Sequence, residues 1–159
     1  MPATPDASDA TPETVLGFDF GERKIGLAVG QSVTGTATPL TTLPASHGQP
    51  DWHHVESLIS EWRPQALVIG LPLHMDGSES EITEAARRFG RRLHGRFGLP
   101  VHEIDERLSS EAARERIAAQ RNAGRKRSDR GDRDAMAACL ILEDYLRQAD
   151  SMNRRGDMT

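Results

Sequence analysis

The chain has 159 residues, 36% of them hydrophobic, enough for one compact domain with a single core and too few for two full ones. Its 20 Lys+Arg against 24 Asp+Glu give a formal net charge of -4 at a mean hydropathy of -0.57, which argues against an integral membrane protein and a uniformly basic nucleic-acid coat. The single cysteine, Cys139, excludes an internal disulfide framework and a thiolate metal cluster, and fits a reducing, cytoplasmic setting.

Residues 1–13 carry Pro, Ala, Thr, Asp and Glu without apolar periodicity and no basic stretch leading into an apolar one, so they read as a disordered tail rather than an export signal. Residues 14–20 (TVLGFDF) and 25–31 (IGLAVGQ) read as strands joined by the turn 21–24, a hairpin that begins the fold. A third, Thr-rich strand is expected over 34–43, ending at Pro44. From Asp51, a helix N-cap, the spacing of Trp52, Val55, Leu58, Ile59 and Trp62 predicts an amphipathic crossover helix stopped by Pro64. Residues 66–70 (ALVIG) form the continuous apolar run of a central parallel strand. Ser78 or Ser80 then caps a long helix to Phe97, and 101–105 make another strand. Two further helices are expected at 109–120 and 132–148 on either side of an arginine-rich loop at 121–131, with a second disordered tail over 150–159.

Three antiparallel strands followed by alternating helix and strand give an α/β fold, a mixed sheet with helices on its faces, in one domain over 14–149. Such sheets place their sites at strand ends. Asp19 interrupts an apolar strand between Phe18 and Phe20, Asp105 and Glu106 stand at the end of the last strand, and Asp134 lies on the same helical stripe as Ala137, Ala138, Ile141 and Tyr145. The small residues Ala135, Ala137, Ala138 and Cys139 allow that helix to pack closely on the sheet and bring Asp134 to Asp19. Successive strand residues face opposite ways, so only one of Asp105 and Glu106 is expected at a shared site. Three carboxylates from separate elements suit two hard cations, Mg2+ or Mn2+, about 4 Å apart, acting on a phosphodiester. The chain has no G-x-S-x-G elbow and no H-E-x-x-H, and its six histidines stand in mostly polar context. There are 18 Arg and two Lys, and the run GRKRSDRGDR just before Asp134 reads as a basic loop able to hold a nucleic-acid backbone.

The segments FDFGERKIGLAVGQSVTGTATPL, ALVIGLPLHMDG, DERLSS and DAMAACLILEDYL, in that order, resemble the YqgF/RuvX family of pre-16S ribosomal RNA nucleases, also called Holliday-junction resolvase-like proteins, over about residues 14–148. The resemblance implies a ribonuclease-H-like fold, cytoplasmic location and a part in 5′ maturation of 16S ribosomal RNA. It carries the catalytic, metal-holding acids over to Asp19, Glu106 and Asp134, with Asp105 as the competing acid and Arg107 as a backbone or supporting group. Lys24, Arg125, Lys126, Arg127 and Arg130 are the expected nucleic-acid contacts. The family often has lysine just before the last acid, where this chain has Gly131, Asp132 and Arg133. Expected partners are precursor 16S rRNA or the pre-ribosomal particle, or branched DNA, with the protein a monomer or homodimer and no membrane involved. Rival readings are an actin-like ATPase, for which 135 or so residues leave no second lobe, a Holliday-junction resolvase, and a ribosome-assembly factor without catalysis.

Overall fold

A computed structural model describes residues 14–74, 76–105 and 130–157, with side chains of the last helix described from 134 to 149. Strands β1 (Thr14–Asp19), β2 (Lys24–Gln31), β3 (Thr36–Ser46) and β4 (Gln49–Pro50) come first, followed by α1 (Trp52–Trp62), β5 (Ala66–Leu71), α2 (Glu81–Phe97), β6 (Val101–Asp105) and α3 (Arg130–Asp157). The strands form one sheet in the order β4-β3-β2-β1-β5-β6. β1, β2, β3 and β4 pair antiparallel in succession, while β1 with β5 and β5 with β6 run parallel. The α/β class and the switch from antiparallel to parallel pairing follow the sequence pattern.

The sheet has a core on each face, which is why β1 and β5 read as continuous apolar runs. Leu16, Phe18, Ile25, Leu27, Leu67 and Ile69 point to the side covered by α1 and α2. There Phe89 packs against Phe18, Phe20 and Trp52 with ring centroids 5.7, 5.3 and 5.6 Å away. Val15, Ala28, Ala66, Val68 and Ile104 point to the opposite side, against Ala138, Cys139, Ile141, Leu142 and Leu146 of α3.

The helix boundaries have local causes. The Asp51 carboxylate accepts from the His53 N–H at 3.0 Å at the start of α1. Pro64 disfavours the α conformation at Arg63, which closes α1 in the left-handed region at φ 47. Ser80 caps α2, its N–H donating to Thr83 Oγ1 at 3.1 Å, and Gly98 ends it at φ 67.

Three expectations are corrected. β3 passes through Pro44 to Ser46 rather than ending at residue 43: the Ala45 N–H donates inward to Arg23 O, so the missing Pro44 N–H faces outward, where β3 has β4 as neighbour only at Ala45 and Ser46. β4 itself, two residues long, is not visible as a pattern. The last helix begins at Arg130 and continues to Asp157, so residues 150–157, expected as a disordered tail, extend it. Their polarity is compatible with helix, and no Pro or Gly interrupts them before Gly156. The tail over 1–13, the helix over 109–120 and most of the arginine-rich loop lie outside the described residues.

Candidate active site

Asp19 is the last residue of β1 and Asp105 the last of β6, so both stand at the carboxyl edge of the parallel half of the sheet. Phe18 is level with Ile69, and Ile69 with Glu103. Asp105 therefore lies one residue beyond the level of Asp19 and two strands away, about 10 Å at the usual strand spacing. Their faces differ. Val15, Gly17 and Asp19 alternate onto the α3 side, where Gly17 meets the Leu142 side chain. Glu103 alternates toward α2, where it pairs with Arg87 at 3.8 Å, and Asp105 shares that alternation.

The backbone of Asp134 meets the strand partner of Asp19, a glycine. Gly26 is the cross-strand partner of Asp19, and its missing side chain is where the α3 backbone rests: a Cβ there would collide with the Asp134 carbonyl and lie 2.8 Å from the Ala135 nitrogen. A Cβ at Gly30, two pleats along the same face, would likewise lie 3.3 Å from the Leu142 and Leu146 side chains. The first described side chain of α3, partly buried Asp134, is thus held against the strand pair that carries Asp19. The stripe below it, Ala138, Ile141 and Tyr145, leans toward β5 and β6, with Tyr145 stacked on His102 at 5.2 Å. Gly26 escaped the sequence reading, although the small residues Gly26, Ala28 and Gly30 at alternate positions of β2, matched to Ala135 and Ala138, are the signal of a close helix.

The loop after β5 borders the same edge. Thr83 Oγ1 donates to Pro72 O, His74 N–H donates to Ser78 O at 3.0 Å and Gly77 N–H to His74 O at 2.8 Å. The Ser78 hydroxyl and N–H both donate to the Asp76 carboxylate, at 2.6 and 2.9 Å, and hold its pKa below the ordinary value. Arg87 ties the loop to the sheet by pairing with both Glu79 and Glu103, and the Glu79 hydrogen bond raises its pKa. All six histidines are exposed.

Lys24, exposed at the start of β2, alternates onto the α3 side with Gly26 and so shares a face with Asp19. Glu106, Arg107, Arg125, Lys126 and Arg127 lie outside the described residues, and Arg130 is placed only as the first residue of α3. Among the described residues no group of three or more His, Cys, Asp and Glu could hold a metal ion. Asp19 and Asp134 could supply two of the oxygen donors a hard cation takes, and a third acid would then have to come from outside the described residues. No helix among the described residues is long and apolar enough to cross a membrane.

Comparison with known proteins gives the context. A family model described as RuvX, Holliday junction resolvase, matches residues 13–148. The chain is 52% identical over 153 residues to a protein of Nitrosococcus oceani, covering 96% of this chain and 99% of that one. It is 56% identical over 137 residues to one of Azotobacter vinelandii, covering 85% and 94%. Both carry the name "Putative pre-16S rRNA nuclease". Among solved structures, Thermus thermophilus RuvC in complex with a Holliday junction substrate has a TM-score of 0.56 at 19% identity, covering 87% of this chain and 96% of that one. That likeness is one of fold, and the mixed sheet with its two helical faces is ribonuclease-H-like. With a family match across the described core and relatives more than half identical over most of their own length, the chain belongs to the RuvX family.

Proposed function

We propose that the protein is a divalent-metal-dependent nuclease that hydrolyses phosphodiester bonds in 5′ maturation of precursor 16S rRNA in the cytoplasm. The observation that carries this reading is the seating of the Asp134 backbone on the bare face of Gly26, the strand partner of Asp19 at the carboxyl edge of the sheet. The alternation of β6 turns Asp105 toward the α2 side, which favours its neighbour Glu106 as the third acid, with Asp105 and Arg107 in support.

Asp19, Glu106 and Asp134 are the residues that would hold Mg2+ or Mn2+, whose contribution when bound is concentrated positive charge beside the reacting phosphate. The chain itself sets the geometry. A strand end and a helix start, locked by backbone contact, fix two acids before substrate arrives. Lys24 stands on the same face to take a neighbouring phosphate, and Arg125, Lys126 and Arg127, shortly before α3 in sequence, and Arg130, its first residue, are the cations that would grip the nucleic-acid backbone. Hydrolysis by in-line attack of water breaks the bond to the 3′ oxygen, which takes up a proton, and leaves a 5′-phosphate and a 3′-hydroxyl.

The relatives' name favours ribosomal RNA as the substrate. The family description favours a second reading, resolution of branched DNA, which calls for a symmetric dimer cutting two strands. Cleavage of 5′-extended 16S precursor RNA and of a four-way DNA junction, side by side with Mg2+ or Mn2+, EDTA and the Asp19→Asn protein, separates them. Metal-dependent cutting of the RNA alone is expected. Cutting of the junction alone would replace the proposal with a resolvase, and tight binding without cutting would leave a non-catalytic assembly factor.

A further inference from the structure

The edge that carries Asp19 continues past β1 through two turns. The β1–β2 turn supplies Glu22 and Arg23, and the β3–β4 turn supplies His47 and Gly48. The two are bolted together by their backbones: the Ala45 N–H donates to Arg23 O at 2.8 Å, and the Gly48 N–H to Glu22 O at 2.9 Å. Between them lies a groove of about 350 Å3 lined by Glu22, Arg23, Ala45, Ser46 and His47.

The backbone of His47 is unusual. Among the described residues only His47 (φ 51) and Arg63 (φ 47) are non-glycine residues with positive φ. Arg63 is explained by the helix end and Pro64. A two-residue turn with positive φ at both positions, here His47 and Gly48 (φ 78), is served best by Asn-Gly or Gly-Gly. This chain instead places an imidazole there, on the groove. Arg23 faces it from the other turn, and among the described residues no ion pair engages the Arg23 guanidinium. Two backbone hydrogen bonds join the turns, and the side chains of Arg23 and His47 and the Ser46 hydroxyl line the groove, where they can meet a ligand.

We propose that this groove is a phosphate-binding subsite in which Arg23 and His47 hold the substrate strand on the β2–β3 side of Asp19. The proposal rests on the nuclease reading and extends it. From β1 to β3 is about 10 Å, roughly three nucleotides of a stacked strand at ~3.4 Å each. Lys24 lies between, on the Asp19 face, whereas Ala45 at the groove packs on the α1/α2 side, so a strand rounds the sheet's end to enter it. A strand laid along this edge has its scissile phosphate at Asp19 and its following phosphates at Lys24 and then in the groove. The ligand is the sugar-phosphate backbone, which RNA and DNA share. Glu22 lines the same groove and repels it.

Fluorescence anisotropy with a labelled single-stranded oligoribonucleotide of about twelve nucleotides, and its DNA counterpart, measured in EDTA, tests the subsite. Cleavage kinetics with Mg2+ are read in parallel. His47→Asn keeps a residue tolerant of the left-handed backbone and removes the imidazole. Combined with Arg23→Gln, it should weaken binding of both oligonucleotides about tenfold and flatten the log-log salt slope by roughly 0.7 for each phosphate no longer neutralised. KM should rise with kcat unchanged, because the phosphate is held equally in ground and transition states. Glu22→Gln should tighten binding on the order of twofold. A double variant with unchanged melting temperature that binds and cleaves like wild type overturns the subsite and leaves the nuclease reading standing. A wild-type chain that neither binds nor cuts the strand overturns both.

Discussion

The backbone of Asp134 rests on the bare α-carbon of Gly26, with no room for a methyl group between them. Because Gly26 is also the strand partner of Asp19, one hydrogen atom in place of a side chain sets how near the two acids lie. Gly26→Ala forces the start of α3 off the sheet. Overpacking of this kind costs about 1–3 kcal/mol, and a displacement of about 1 Å at a reacting centre can cost 100-fold in rate. Activity should therefore fall by one to two orders of magnitude in a chain that still folds. Gly95→Ala is the control: Gly95 sits in α2 with open space around it, so alanine should stabilise by roughly 0.5–1 kcal/mol and leave cleavage unchanged. Equal activity loss in both variants would show that Gly26 has no special link to the site.

Farther along the same face, Gly17 of β1 and Leu142 of α3 form a complementary pair. The Leu142 side chain occupies the space a Gly17 Cβ would take and also touches Gly30, and Leu142 is fully buried. Leu142→Ala should cost 2–5 kcal/mol through missing packing and the cavity left behind, by the usual range for core truncations of about that size. Gly17→Ala should cost about 1–3 kcal/mol by overpacking. Because the new methyl group enters the space the leucine leaves, the double variant should be more stable than the sum of the two losses by at least ~0.5 kcal/mol. Denaturant unfolding of the four proteins measures this coupling, and strict additivity would mean that helix and strand separate instead of interlocking.

Alkaline pH probes the other flank of α3. Tyr145 is half-buried against β6, stacked on His102, and burial pushes its hydroxyl pKa above the ordinary value near 10. Above that ordinary value the unfolded chain releases the tyrosine proton while the folded chain keeps it. Stability should therefore fall as pH rises from about 10 toward the folded value, and Tyr145 should have no such effect at neutral pH. Tyr145→Phe should remove that part of the alkaline loss and keep the ring on His102. Identical stability profiles for the two proteins between about pH 9 and 11 would place Tyr145 in a more solvated setting.

The sequence makes the sheet legible because its strands are of two kinds. β1 and β5 are continuously apolar and therefore central, while Thr-rich β3 lies toward an edge. Asp19 stands out for the same reason, as a carboxylate in an apolar run. β4 and the outward-facing Pro44 are invisible to pattern, since two residues have no periodicity and a proline's cost depends on which neighbour its nitrogen faces. The role of Gly26 is hidden because a close approach belongs to the partner element, more than a hundred positions away. The choice between Asp105 and Glu106 turns on strand alternation, which the sequence states only once the strand's faces are known.

Cation binding can be read without any cleavage. The Asp134 backbone seats on Gly26, the strand partner of Asp19, so a divalent ion held by both acids should bind the native state alone and stabilise it. At a concentration 100 times its Kd a ligand contributes about 2.7 kcal/mol, which for a domain of this size raises the melting temperature by about 5–10 °C. Mn2+ or Mg2+ should raise the melting temperature of the wild-type protein and EDTA should reverse the gain. Asp19→Asn should fold, and its melting temperature should not respond to the ion. Its cleavage rate should fall by at least two orders of magnitude, in line with loss of a group that stabilises charge in the transition state. An Asp19→Asn protein that still gains stability from Mn2+ would move the metal away from the edge of β1, and one that still cleaves would remove Asp19 from the catalytic residues.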